Sequence, residues 1–370
     1  MRFSCERAVL QSAVSAALRT VSQKSSIAVL EGILLKAEGD GISLTGYDLA
    51  TGIVAKAGAS VQENGSIVLS ARLFSDIVRR LEDDFVTVEC DEKLVCRITC
   101  ARSEFDLMGM FAEEFPELPS VAHEQGVSLP QSALKRLISK TLFCVADGGS
   151  RPVHTGALFD AEGRGLNVVA LDGFRLAVAS FEFEQELSEK LHFVVPGGAL
   201  REVERLCSED GEVMLTIGNR HVMFTIGDTT LVSRLLEGEF INYRTAIPSD
   251  PALRVNLKTK ALQGAVERVS IMISERLKSP VRMRFSQDNV ILSSVTAVGR
   301  ATDEIPCSDG NTLEIGFNNR YFLDAVKAIE TESLIMEMTN GVSPCVLRPD
   351  GENGDCTYMV LPVRLKANGQ

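Results

Sequence analysis

Three stretches of this chain lie 124 residues apart: Leu44 to Ala50, Val168 to Phe174 and Leu292 to Val298. Each is apolar-rich and follows an amphipathic segment with Ala, Leu and Val at helical spacing. A fixed period of that length means one domain design used three times. A second echo splits every repeat in half. Ile67 to Leu81, Phe193 to Leu206 and Glu314 to Ile329 each read as an apolar strand, then a break at Ser70, Pro196-Gly197 or Asn318-Asn319, then a helix. Six similar half-units therefore run head to tail. Such a chain is better suited to an arc or a ring than to a pocket for one small molecule.

At 370 residues the period selects three domains, each large enough for its own core. The Pro-bearing segments 115–119 and 240–248 fall at equivalent points and mark the crossings, giving domains 1–122, 123–247 and 248–370. After each second helix come strands around 86–88, 213–217 and 334–338, with hairpin turns at Gly218-Asn219 and Asn340-Gly341. The expected class is α+β, with one helix per half-unit laid on one face of a continuous antiparallel sheet.

The N-terminus meets charge before any apolar run, and no apolar stretch reaches the length of a membrane span, so a cytoplasmic protein is expected. Nine scattered cysteines without a Cys-x-x-Cys pair read as buried reduced thiols, and neither a metal nor another cofactor is expected.

A net charge of −12 argues against a polyanionic partner, but its distribution reverses that inference. The six helices predicted at 7–20, 71–82, 131–143, 198–209, 258–270 and 319–331 hold 15 Lys and Arg against 8 Asp and Glu. The remainder holds 23 basic and 42 acidic residues. Equivalent basic helices on an acidic body can bind a polyanion on one face and repel it elsewhere. Solvated helix faces are the plainer reading for any one of them. Two chains would supply twelve helices. At roughly 9 Å between packed axes, these would line a hole of about 25 Å, of the order of a DNA duplex's width.

Leu171-Asp172-Gly173-Phe174-Arg175-Leu176-Ala177-Val178, the segment Leu235 to Tyr243 with Arg244 before Pro248, and the ending Tyr358-Met359-Val360-Leu361-Pro362-Val363-Arg364-Leu365 together resemble the bacterial sliding clamp family, the beta subunit of DNA polymerase III. The resemblance covers essentially the whole chain. It implies three repeated clamp domains with helices inside and antiparallel sheets outside, in a ring-shaped homodimer that encircles duplex DNA without sequence preference. It also implies a processivity factor with no catalytic activity, tethering the replicative polymerase, the clamp loader and repair proteins through short linear motifs.

By position in the family's pattern, Lys24, Arg72 and Arg151 are candidates for DNA contact; helix charge adds Arg79, Arg80, Lys135, Arg136, Lys140, Arg201, Arg205 and Lys260. The resemblance places an apolar peptide pocket at His154, Leu171, Gly173, Phe174, Arg175, Leu176, Ile241, Thr245, Ala246, Val360, Leu361, Pro362, Val363 and Arg364. Phe174, Ile241 and Thr245 stand where the family commonly has His, Pro and Arg. Taken alone, Leu171 to Val178 reads as a core strand and Val360 to Leu365 as a final strand. Phe105 and Leu107 near the end of the first repeat, with Met272 and Ile273 in the third, are the candidates for a head-to-tail dimer seam.

Two other readings compete. An enzyme centred on Asp172, Arg175 and His154 would need a phosphate loop, a nucleophile elbow or a metal-spaced cluster, and the sequence has none. A monomeric repeat scaffold that binds only proteins would suit the acidic exterior.

Overall fold

A computed structural model of the chain describes residues 1–82, 84–121, 125–149, 151–274, 279–308, 312–351 and 355–365. The expected crossing at 122–123 lies outside them. Six copies of one strand–helix–three-strand unit follow each other. The first two are β1 (Arg2–Glu6), α1 (Arg7–Leu18), β2 (Gly32–Glu38), β3 (Gly41–Tyr47), β4 (Thr51–Gly58), then, after the extra strand β5 (Ser60–Glu63), β6 (Gly65–Ser70), α2 (Ala71–Arg80), β7 (Phe85–Cys90), β8 (Val95–Cys100), β9 (Ser103–Met108). The next pair is β10 (Gln125–Pro130), α3 (Gln131–Ser139), β11 (Gly156–Glu162), β12 (Gly165–Leu171), β13 (Arg175–Glu182), then β14 (Leu191–Pro196), α4 (Gly197–Leu206), β15 (Glu212–Ile217), β16 (His221–Ile226), β17 (Thr229–Arg234). After the short helix α5 (Tyr243–Ala246) come β18 (Leu253–Lys258), α6 (Thr259–Ser270), β19 (Val281–Phe285), β20 (Asn289–Thr296), β21 (Gly299–Pro306), then β22 (Leu313–Phe317), α7 (Asn319–Lys327), β23 (Ser333–Met338), β24 (Cys345–Pro349), β25 (Cys356–Val360).

The strands β3, β12 and β20 begin at Gly41, Gly165 and Asn289, which preserves the 124-residue period. The helices form where apolar residues recur at i, i+3 and i+4: Leu10, Ala13, Val14 and Ala17 on α1, Leu262, Ala265, Val266 and Val269 on α6, Phe322, Ala325 and Val326 on α7. Full burial of such side chains contributes about 1.5–3 kcal/mol each for Leu, Val and Phe. The Asn318 break starts α7 as a cap, its side-chain oxygen accepting from the backbone N–H groups of Arg320 and Tyr321. Gly46 lets α1 close on β3, since a Cβ there would lie 1.9 Å from the Ala17 carbonyl oxygen.

Within each repeat the two halves exchange strands. The first strand of one half pairs with the strand that follows the helix of the other: β1 with β7, β6 with β2, β10 with β15, β14 with β11, β18 with β23, β22 with β19. This exchange is a departure from a continuous sheet laid along the chain. Six four-stranded sheets result, and two pairs of them merge edge to edge. The orders are β5-β1-β7-β8-β9, β10-β15-β16-β17-β4-β3-β2-β6, β14-β11-β12-β13-β25-β24-β23-β18 and β21-β20-β19-β22. The chain divides into two compact units, Met1–Lys135 with Gly198–Leu235, and Arg136–Gly197 with Leu236–Gln370, each holding one of the eight-stranded sheets.

Candidate functional site

In the first unit the end of α1, the loop after it and the start of α2 border a cleft of about 1050 Å³, with α4 contributing Glu202 and Arg205. Arg19, Lys24, Arg72, Arg79 and Arg205 line it against Glu31, Asp76 and Glu202. The α2 face arises because Ala71, Phe74 and Val78 turn inward, leaving Arg72, Arg79 and Arg80 on the other side. Asp76 holds Arg79 at 2.7 Å and lies 3.9 Å from Arg80; Glu202 holds Arg205 at 2.6 Å and Arg19 at 3.3 Å. No ion pair is formed by Lys24 or Arg72 among the described residues, so their charge is available to an anion. Lys135, also in this unit, reaches Glu209 at 2.6 Å, and Arg201 is exposed on α4.

The second unit carries the other predicted cations. Arg151 is exposed beside a cavity of about 500 Å³ lined also by Val153, Glu237, Glu239, Phe240 and Ile241, and Lys260 is exposed on α6. Arg136 pairs with Asp355 at 2.5 Å. Lys140 is different: it is buried, with Asp355 at 3.4 Å and Glu330 at 3.5 Å. Its charge is committed inside the unit, a placement that helix charge alone did not reveal.

The apolar candidates of the second unit converge. Leu171 and Leu176 are buried with Val153, Phe240, Tyr243, Val346 and Met359, and Ile241 packs against that cluster. The turn between β12 and β13 is fixed by Asp172, whose Oδ1 accepts from the backbone N–H groups of Phe174 at 2.9 Å and Arg175 at 3.1 Å, while Gly173 takes φ +91°. The turn leaves the Phe174 ring 58% exposed. The Phe174 carbonyl accepts from the Leu361 N–H at 2.8 Å, and Val360 pairs with Arg175 across the strands, so the chain's last described segment is tied to this turn. Leu361 and Pro362 are half-buried, Val363 and Arg364 exposed. Thr245 is exposed on α5 and Ala246 half-buried. The His154 ring meets Phe240 edge-on at 5.9 Å, with Nε2 buried and without a hydrogen-bond partner among the described residues; burial and the nearby Arg151 hold its pKa below the usual imidazole value.

Sequence reasoning missed what surrounds Arg175. Its guanidinium is bound by Asp324 at 2.6 Å and Asp172 at 3.0 Å, lies 4.4 Å from the Tyr321 ring centre and 5.5 Å from that of Phe143. Phe174 stacks on Tyr321 at 6.0 Å, and Phe143 leans on the buried Tyr358 at 5.7 Å. A ladder of rings and one cation thus runs from the exposed turn into the core. The capped start of α7 was the available signal, since it sets Tyr321 and Asp324 one turn apart on one face. Asp160 was also missed. This buried carboxylate accepts from the Tyr243 hydroxyl at 2.8 Å and holds Arg244 at 2.8 Å and His192 at 3.2 Å, fastening α5 to β11.

The seam candidates sit on an edge strand and at a helix end. Phe105 and Leu107 lie on β9, at the edge of the five-stranded sheet, with Phe105 39% and Met108 71% exposed. Met272 and Ile273 are half-buried just past the end of α6, next to Ile271, which is 76% exposed. Among the described residues no cluster of three or more His, Cys, Asp or Glu could hold a metal ion, and no helix is long and apolar enough to cross a membrane.

Sequence models of the DNA polymerase III beta subunit match residues 1–119 (N-terminal domain), 128–242 (central domain) and 244–364 (C-terminal domain). A beta sliding clamp of Staphylococcus aureus is 29% identical over 376 residues, covering 98% of this chain and 99% of that protein. Among solved structures, a putative DNA polymerase III beta subunit from Eubacterium rectale is 32% identical with a TM-score of 0.94, and the DNA polymerase sliding clamp of Bacillus subtilis is 28% identical with a TM-score of 0.95. Both cover 99% of this chain and are themselves covered completely.

Proposed function

This chain belongs to the DNA polymerase III beta subunit family, and from that premise we propose how its parts serve as a sliding clamp, a non-enzymatic processivity factor for a DNA polymerase. Two copies close head to tail around duplex DNA in the cytoplasm. The domains run 1–122, 123–247 and 248–370.

The observation that carries this reading is a pair of unfilled strand edges. The last strand of every half-unit ends a four-stranded sheet; β4 is filled by β17 and β13 by β25, while among the described residues β9 and β21 have no neighbour on one side. In both filled seams the first-half strand of one repeat meets the second-half strand of the next, with Thr51 opposite Ser233 and Arg175 opposite Val360. Carried over by the repeat, that register sets Leu107 of one copy opposite Gly299 of the other, Phe105 opposite Ala301 and Asp106 opposite Arg300. The exposed apolar residues Met108, Ile271, Val295 and Val298 border these edges and supply the burial that an isologous pair of seams needs.

Lys24, Arg72, Arg79 and Arg205 are the leading DNA contacts, joined by Arg80, Lys135, Arg136, Arg151, Arg201 and Lys260. Lys140 is left out because it is buried as well as paired, whereas the paired cations kept here remain exposed or half-exposed. Base-specific bonds would stop a slider, whereas cations facing phosphates give a flat, sequence-independent attraction. Retention comes from topology. The apolar cluster under Leu171, Leu176 and Ile241, rimmed by Phe174, Thr245 and residues 360–364, takes a short peptide from a polymerase or another partner. Arg175 does not read that peptide's charge, because Asp172 and Asp324 already neutralise it.

The test is a mass in solution near twice 40.2 kDa, together with retention on nicked circular DNA and release once that DNA is linearised. A monomer, or equal retention on linear DNA, overturns the ring. Truncation after Pro362 is expected to weaken binding of a polymerase tail peptide and spare dimerisation; undiminished binding removes the pocket.

A further inference from the structure

Nine cysteines are present as free thiols, and among the described strands one pair of them lies directly opposite. In the β7–β8 hairpin, Cys90 faces Cys96, Val88 faces Ile98 and Val86 faces Cys100. Alternation puts all six side chains on one side of the sheet: Val86, Val88, Cys96, Ile98 and Cys100 are buried, and Cys90 is half-buried. The Cys90 N–H donates to the Met1 carbonyl at 2.9 Å, away from β8, and the adjacent cross-strand bond runs from the Asp91 N–H to the Val95 carbonyl at 3.1 Å. Cys90 and Cys96 therefore form a non-hydrogen-bonded pair. Cα atoms in such pairs approach to about 4.5 Å, within the span of about 4.4–6.8 Å that a disulfide bridges. The Cys96 thiol is pushed far up by its hydrogen bond with Cys90 and by burial, so it waits as a thiol beside the more accessible sulfur.

We propose that Cys90 and Cys96 are a peroxide-oxidised modification site, in which Cys90 is attacked first and Cys96 resolves it into a cross-strand disulfide that staples the β7–β8 hairpin beside the edge strand β9. The electron balance closes with a hydroperoxide as oxidant. Cys90 gives up its proton as its sulfur attacks one oxygen of hydrogen peroxide; the O–O bond breaks, and the departing hydroxide takes up that proton to leave as water. The Cys96 sulfur then attacks the sulfenic sulfur of Cys90. The S–OH bond breaks, and hydroxide leaves as water with the proton of Cys96. Two thiols and one hydrogen peroxide thus give one disulfide and two waters.

The experiment treats the full chain with hydrogen peroxide, alkylates the remaining thiols and digests with trypsin, which cuts after Lys93 and separates the two cysteines unless sulfur joins them. Expected are a chain about 2 Da lighter before alkylation, two fewer alkylated cysteines, a linked pair of peptides and full recovery with dithiothreitol. In Cys96→Ser, which keeps the fold of a small side chain, Cys90 is expected to gain ~16 and then ~32 Da instead. Nine alkylated cysteines after peroxide, a link between other cysteines, or Cys90 advancing to sulfinic acid in the unaltered chain while Cys96 still alkylates would each overturn the proposal.

Discussion

The seams β17–β4 and β13–β25 and the edges β9 and β21 occupy the same place in the repeat, yet the first two are filled within the chain and the last two are open among the described residues. Filled seams bury their strands: Leu231 and Ile53 face each other without exposure. Open ones leave Phe105, Met108, Val295 and Val298 partly or largely in solvent. An unpaired strand edge flanked by apolar side chains is a liability for a monomer and an instruction for assembly. The same local design thus holds the fold together in two places and, in the proposed dimer, joins copies in a third.

Placing one charge at each kind of seam breaks that comparison most directly. Leu231→Asp, in a filled seam, is expected to cost about 4 kcal/mol or more of folding stability, seen in urea unfolding whatever the protein concentration. Phe105→Asp, at the equivalent open edge, is expected to leave the fold intact and weaken dimerisation by ~100-fold, or about 2.8 kcal/mol, read by sedimentation. Met272→Asp with Ile273→Asp acts in the same direction. If Phe105→Asp unfolds the chain as Leu231→Asp does, the two seams are not different in kind.

Next comes Arg175, which locks the filled β13–β25 seam to α7. Arg175→Ala leaves Asp324 and Asp172 without their cation and is expected to destabilise the second unit by about 3 kcal/mol. Arg175→Lys recovers only part of this, because an ammonium cannot serve two carboxylates and two rings at once. Chemical denaturation measures both.

A smaller effect is expected from the basic cleft. Lys24→Ala and Arg72→Ala should each reduce the slope of log K against log salt on short linear duplex by about 0.9, with retention of the closed dimer on circular DNA unchanged. Arg79→Ala should change less, since Asp76 already holds that guanidinium.

The smallest expected effect concerns pH. Burial pushes the Asp160 carboxyl up, but hydrogen bonds from Tyr243 and His192 and the charge of Arg244 outweigh it and hold the group below the usual carboxylate range. A depressed folded pKa means stability that is present above the unfolded value of about 3.9 and lost as pH falls through the folded one. Asp160→Asn should therefore flatten the acid limb of the stability curve below about pH 4, and an unchanged acid limb would show that the carboxylate contributes nothing.

Much of this architecture was legible in the chain itself, because helix and strand patterns are local. The 124-residue period, the breaks at Ser70, Pro196-Gly197 and Asn318-Asn319, and the hairpin turns at 218–219 and 340–341 all reappear as element boundaries. The pocket candidates that the fold brings together are those a motif carried, Leu171 to Val178 and Val360 to Leu365. Lys140 shows the limit: it follows α3 directly and continues the basic run of Lys135 and Arg136, and only the approach of Asp355 and Glu330, distant in sequence, holds it inward.

The sequence by itself determined how many modules there are, where each helix starts and which residues face a core, since these follow from periodicity, capping and turn chemistry within a few residues. Only the tertiary structure decided that halves exchange strands, that two seams fill while β9 and β21 stay open, and that Arg175 is saturated by Asp172 and Asp324. Those outcomes depend on pairings across tens to hundreds of residues, and a strand's own pattern records which face is buried but not which neighbour buries its edge.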